Sequence, residues 1–185
     1  MKIRLLISAW CIACCALLVV ARQTLAADTG SSAIEQAVKA AYLYKFLGYV
    51  QWPPGAFVKP DAPFVIGVAG SDEMLAAISD LAGHHQVRGR PITVRRVAAG
   101  SALDGVHLLY VDEQGYAQAD QLLKQAGRKP ILTVTDGGDG GIIRFVLDDG
   151  RVRFSIALGL ARRQSLVLSS RLLSVAASVD EGAAK

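Results

Sequence analysis

FVIGVAGSDEMLAAISDLAG, residues 64–83, decides how the rest of the chain is read. Phe64 to Ala69 is a short, unbroken apolar and small run, which predicts a strand buried on both faces. Gly70-Ser71 then turns the chain into DEMLAAISDLAG. Ser71 is placed to cap that helix, Asp72 and Glu73 stand at the positive end of its dipole, and Gly83 is placed to stop it. A buried strand feeding directly into a helix is the unit of an α/β fold.

Outward from this unit the alternation continues. PITVRRV (91–97) and VHLLYVD (106–112) predict strands, GYAQADQLLKQAG (115–127) a helix closed by Gly127 and Pro130, and ILTVTD (131–136) another buried strand. Strands alternating with helices imply a mainly parallel sheet covered on both faces. GIIRFVLDDGRVRFSIA (141–157) changes style. Asp149-Gly150 is a two-residue hairpin turn, pairing Asp148 with Arg151, Leu147 with Val152, Phe145 with Phe154 and Ile143 with Ile156. A last helix is expected from SSRLLSVAASV (169–179). The expected fold class is α/β, a three-layer sandwich with a mainly parallel central sheet, a C-terminal antiparallel hairpin and flanking helices.

Upstream, KAAYLYKFLGYVQWPPGAF (39–57) predicts a helix over about 32–51 that is apolar on most sides. Ala40, Leu43, Phe46, Leu47 and Val50 form one stripe, and Val38, Ala41, Tyr42 and Tyr49 fill much of the remainder. Such a helix is expected to be enclosed. Pro53 ends it, and Trp52 closes the core at its exit. Lys39 and Lys45 lie about 240° apart on the helical wheel and need not share a surface.

The first residues set the compartment. Lys2 and Arg4 precede an uncharged run over 5–21, then Arg22 and Thr24-Leu25-Ala26. This is the pattern of a secretory signal peptide, with 1–26 removed and 27–185 forming a single exported domain. All three cysteines, Cys11, Cys14 and Cys15, fall in that leader. The mature part would therefore have no disulfide and no thiolate chemistry. Without Lys2, Arg4 and Arg22 the formal charge of +4 falls to +1, which removes the electrostatic motive for binding nucleic acid.

Candidate sites are few. Ser71, Asp72, Asp112, Thr135 and Asp136 stand near the carboxyl ends of predicted parallel strands, where an open α/β sheet admits a small ligand. The same residue types serve equally as helix caps and turns. Arg144, Arg151 and Arg153 share the outer face of the hairpin and could meet an acidic partner or simply be its wet side. His84, His85 and His107 lack metal-ligand spacing, and the glycine-rich 136–141 connection specifies too few oxygens for calcium. No nucleophile elbow appears. The expectation is a non-enzymatic chain with no cofactor and no metal.

KAAYLYKFLGYVQWP, FVIGVAGSD, ILTVTD, IIRFVLDDGRVRFSI and LVLSSRLLSVA, in this order, resemble the YfiR-like family along the whole mature part. The family's motif positions fall on Lys39, Tyr44, Phe46, Trp52, Pro53, Ser169, Ser170 and Leu172, with an implied structural role. Members carry Asn near 157 and Gly near 165, where this chain has Ala157 and Ser165. The resemblance implies a periplasmic repressor of a membrane-bound diguanylate cyclase, or of a related sensor, acting by contact with its periplasmic domain. It also implies a homodimer, and control of cyclic di-GMP and biofilm formation. A periplasmic receptor for a small ligand is the alternative.

Overall fold

The computed structural model describes residues 32–182, so the expected leader, 1–26, lies outside the described residues. The chain divides into two units at Glu35 and Gln36. Of the first, Met1–Glu35, residues 32–35 are described and are helical.

Helix α1 covers residues 36–49 of the second unit. It is followed by β1 (Val50–Gln51), β2 (Phe64–Ala69), α2 (Asp72–His84), β3 (Gln86–Val87), β4 (Arg90–Arg96) and β5 (Leu108–Val111). A 3-10 turn at Glu113–Gly115 leads into α3 (Tyr116–Ala126). Then come β6 (Leu132–Asp136), β7 (Ile143–Asp148), β8 (Arg151–Ala157), α4 (Leu158–Arg163), β9 (Val167–Leu168), α5 (Ser170–Ser174) and β10 (Ser178–Asp180). Eight strands form one sheet in the order β10-β8-β7-β6-β5-β2-β4-β3, and β1 and β9 form a separate two-stranded ribbon. Pairs β4–β2, β2–β5, β5–β6, β6–β7 and β8–β10 are parallel; β7–β8 and β3–β4 are antiparallel. This is the expected mainly parallel, three-layer α/β sandwich.

The pleat explains the layers. Leu108 and Tyr110 point to one face and Leu109 and Val111 to the other, because successive strand residues alternate. The first face carries the larger core, built from α1, α2, Ala161 of α4 and Leu172 of α5 over β2, β5, β6, β7 and β8. The second is covered by Ala119, Leu122 and Ala126 of α3 with Val97, Leu103 and Val106. The strands are covered on both sides, which is why they read as continuous apolar runs.

The hairpin register is the one the Asp-Gly turn dictates. Ile143 faces Ile156, Phe145 faces Phe154, Leu147 faces Val152 and Asp148 faces Arg151. Asp149 and Gly150 both take positive φ, as a type I′ turn requires.

Four expectations are corrected. Helix α1 stops at 49, and Val50–Gln51 leave it as a strand because β9 offers the backbone partners Leu168 and Val167. The helix is not enclosed on all sides: Val38 and Tyr49 are each 38 % exposed, since a helix in an outer layer turns one flank away from the sheet. Helix α2 runs past Gly83 to His84 and ends at His85. The last helix ends at Ser174, and residues 178–180 return as the parallel edge strand β10.

Ser165 stands at the close of α4, where the resemblance implied a glycine. Its N–H donates to the Arg162 carbonyl, and the Leu166 N–H donates to Ala161, which together make a Schellman close to α4. The residue after such a cap is left-handed, and Ser165 has φ +59°. Glycine adopts that conformation without steric cost, although it loses more chain entropy on folding. Ser165→Gly is expected to stabilise the protein by about 0.5–1 kcal/mol, read as a higher urea midpoint at unchanged m-value.

Candidate functional site

The carboxyl ends of β2, β5 and β6 hold the polar residues singled out from the sequence. Ser71 caps α2, its hydroxyl accepting from the Met74 N–H at 3.2 Å. The buried Asp112 carboxylate accepts from the backbone of Ser71 at 2.8 Å through one oxygen. Through the other it accepts from Gln114 and Gly115 at 3.0 and 3.2 Å. Asp112 thus ties the β2–α2 loop to the β5–α3 loop. Gly70 makes this approach feasible, because a Cβ there would lie 2.3 Å from the Asp112 carboxylate. Asp72 pairs with Arg96. These oxygens are engaged with the chain's own backbone and side chains.

Asp136 belongs to a different constellation. Its carboxylate oxygen receives Lys39 Nζ at 2.6 Å and the Tyr110 hydroxyl at 3.1 Å. The Lys39 side chain is 8 % exposed and that of Asp136 is 21 % exposed. Lys39 therefore pins α1 to the end of β6. Thr135 turns instead to the Gly138 carbonyl, at 2.7 Å, and braces the glycine-rich connection.

The other motif positions form the frame around α1. Phe46 is buried between Phe145 and Phe154, with ring centroids at 6.0 and 5.0 Å. Tyr44 meets His85 at 4.7 Å. Trp52 is half-buried and packs edge-on to Phe64 at 5.3 Å, with its Nε1 enclosed and no acceptor beside it among the described residues. Ser169 caps α5 through Leu172 N–H, while its own N–H donates to the Tyr49 carbonyl at 2.9 Å. The two motifs, at 39–53 and 169–172, are thus joined by the β1–β9 ribbon and this bond. Pro53 follows the ribbon and accepts the Ala56 N–H.

His107 stacks on Phe57 at 4.2 Å, and the Arg90 guanidinium covers the other ring at 4.1 Å from its centroid. The imidazole Nδ1 accepts from Val65 N–H at 3.1 Å, leaving Nε2–H to donate to the Ala56 carbonyl at 3.2 Å. Burial pushes the His107 pKa below the ordinary histidine value; the Ala56 contact opposes this, and Arg90 adds to the lowering. The neutral ring is therefore the folded form. Its contribution is present above the unfolded-state pKa of about 6.5 and is lost as pH falls from there through the lowered folded value. Urea stability should drop as pH falls below about 6.5, with a shallower slope in His107→Asn.

The flank of α1 turned from the sheet is a surface the sequence reading did not isolate. Tyr42, Phe46, Lys45 and Tyr49 meet Phe154, Leu172 and Val175 across a groove of about 350 Å³, with Arg171 on its α5 rim. On the other side of Lys45 and Tyr49, a shallower hollow is bounded by Tyr44, Gly48, Val87 and Arg88. Arg88 Nη2 donates to the Gly48 carbonyl there, at 3.0 Å. Lys45 and Tyr49 form a ridge between two recesses, aromatic in character and bordered by cations. Val38, Tyr42, Lys45 and Tyr49 recur at i, i+4, i+7 and i+11. That second helical stripe was the available signal.

The hairpin arginines share the outer face of β7 and β8 but differ in their surroundings. Arg144 pairs with Asp139 at 2.6 Å, while Arg151 and Arg153 are exposed. His84 is exposed and His85 contacts the Leu81 carbonyl, so the histidines serve separate local roles. Among the described residues no helix is long and apolar enough to cross a membrane.

No curated protein matches the chain. The profile of the YfiR/HmsC-like family matches residues 36–177, which is well over half of the sequence and nearly the whole of the folded unit. The chain belongs to the YfiR/HmsC-like family.

Proposed function

We propose that this protein is a periplasmic regulator that binds the periplasmic sensor domain of an inner-membrane diguanylate cyclase and holds the enzyme inactive. The observation that carries this reading is the family match across residues 36–177, which spans the folded unit from α1 to the end of α5. The family is one of periplasmic regulators of diguanylate cyclase signalling rather than of catalysts. The aromatic ridge on α1 supports the reading as a place for protein contact, with Lys45 and Arg171 favouring an acidic segment on the partner. The chain reaches the periplasm through its leader and acts as a noncovalent homodimer.

Repression by binding requires a preference for one state of the partner. Holding a cyclase a hundredfold below its active level takes at least about 2.7 kcal/mol of differential affinity for the inactive arrangement. Deleting the gene should raise cyclic di-GMP and surface attachment. The wild-type chain should restore the low level, whereas a Lys45→Glu/Tyr49→Ala variant should not. Unchanged cyclic di-GMP on deletion, with the cyclase expressed, overturns the reading.

A second reading is favoured by the groove itself. Its volume lies within the range of small-molecule sites, and its apolar floor with two rim cations suits a small apolar anion that would report a periplasmic signal. A thermal-shift screen separates the two: a saturable shift lost in Tyr42→Ala, without any protein partner, supports the ligand. The polar residues at the strand ends are tested in the same screen, Ser71, Asp72 and Asp112 through an Asp112→Asn variant and Asp136 separately through Asp136→Asn.

A further inference from the structure

The last strand of the sheet is held differently from every other. β10 runs parallel to β8, with Ser178 beside Ser155, Val179 beside Ile156 and Asp180 beside Ala157. Its three side chains are all exposed, so almost no core burial fixes it. What holds it is backbone. The Ala177 N–H donates to the Phe154 carbonyl at 2.8 Å, and the parallel ladder follows. Beyond it the Gly182 N–H closes on the Asp180 carboxylate at 2.9 Å. Gly159 permits the final approach: a Cβ there would lie 3.2 Å from the Glu181 carbonyl and 3.4 Å from Gly182 Cα. The family match stops at residue 177, one residue before this strand begins.

β8 itself is anchored. Phe154 and Ile156 are buried in the main core, and the other edge of the strand is fully paired with β7. A rigid strand whose outer edge is closed only by a short, side-chain-poor segment is a docking edge with a tethered occupant, because local opening is easiest where few buried contacts are lost. The chemistry of the occupant is visible. Ser178 and Asp180 line one crevice together with Ser155, Arg144 and Asp139, so the strap directs a small polar residue and an acid toward the Arg144–Asp139 pair. Val179, between them, takes the opposite face.

We propose that the outer edge of β8 is a docking edge for an extended segment of a partner protein, entering parallel to β8 with a small-polar, aliphatic, acidic pattern, and that β10 is the tethered stand-in that closes this edge until displaced. Strand addition of this kind draws affinity from main-chain hydrogen bonds and selectivity from alternate side chains. The assignment is independent of which membrane protein is regulated, and of the α1 ridge.

The test uses the full chain with Cys11, Cys14 and Cys15 replaced by serine and with Ser155→Cys and Ser178→Cys added. These two positions are register partners lining the same crevice, so oxidation locks the strap and reduction frees it. The probe is a photoreactive peptide of the chain's own residues 177–185, ASVDEGAAK, supplied at millimolar concentration because a short tether acts at an effective concentration of that order. The expected result is labelling that maps to residues 154–157, saturates with peptide, and is at least tenfold stronger in the reduced than in the oxidised protein. Equal labelling of the two forms, labelling elsewhere, or none in the reduced form overturns the proposal. So does amide exchange at 178–180 as slow as global unfolding, since a strap that opens only with the whole fold cannot be exchanged.

Discussion

Lys39→Ala is expected to cost about 3–5 kcal/mol of folding stability, among the largest effects of any single change in the chain. The substitution leaves the Asp136 carboxylate without the ammonium 2.6 Å away, in a site where both side chains are largely withdrawn from water. A surviving buried charge that has lost its counter-charge is costly, whereas removing both charges is tolerated far better. Lys39→Met/Asp136→Asn should therefore be more stable than Lys39→Met alone. The coupling between the two positions in a double-mutant cycle should exceed about 1 kcal/mol. Added salt should change this coupling little, because the pair is shielded from solvent. Urea unfolding of the four proteins reads all of these quantities. A cost below about 1 kcal/mol for Lys39→Ala would mean that the contact is a solvated surface pair. The change also bears on function, since Lys39 fixes the helix that carries the Lys45–Tyr49 ridge.

How much of this was legible differs from element to element, and for physical reasons. The hairpin was readable to the residue because Asp149-Gly150 fixes the turn and the turn fixes the register, with alternation confirming it. The β2–α2 unit was readable because cap, dipole and apolar run agree. Helix α1 was misjudged on its outer flank. Val38, Tyr42 and Tyr49 are apolar enough to suggest core, yet an outer-layer helix has only one sheet to face. The converse held for Lys39, a charge that a periodicity argument sends to water and that Asp136, 97 positions away, brings inside. The β1–β9 ribbon and β10 carry almost no sequence signal. Each is two or three residues long and defined by backbone pairing with a distant strand, and backbone pairing does not depend on side-chain pattern. At the candidate site, Asp112 and Asp136 stand at the strand ends, as their place in the sequence implies. Their different partners were invisible, because those partners are main-chain N–H groups in one case and, in the other, a helix separated from β6 by five intervening strands.

Phe46→Ala is expected to cost about 3–5 kcal/mol, and its comparison with Tyr49→Ala separates the framework of α1 from its exposed surface. The Phe46 ring is 1 % exposed and stands against Tyr42, Phe145 and Phe154, with centroids at 5.7, 6.0 and 5.0 Å. Truncation removes the ring's transfer free energy and opens a cavity that the hairpin strands are too rigid to fill, so the penalty should stand near the upper part of the range for aromatic deletions. Phe46→Leu, which keeps most of the volume, should cost less than half as much. Tyr49 sits one turn further along and is 38 % exposed, and its backbone carbonyl receives the Ser169 N–H whatever its side chain. Tyr49→Ala should therefore change stability by no more than about 1 kcal/mol. If the ridge is the contact surface, Tyr49→Ala loses the partner while melting like wild type, whereas Phe46→Ala loses the partner only to the extent that it loses the fold. Measuring pull-down and urea midpoint on the same two variants distinguishes these cases. Retention of the partner by a folded Tyr49→Ala would move the contact surface away from α1.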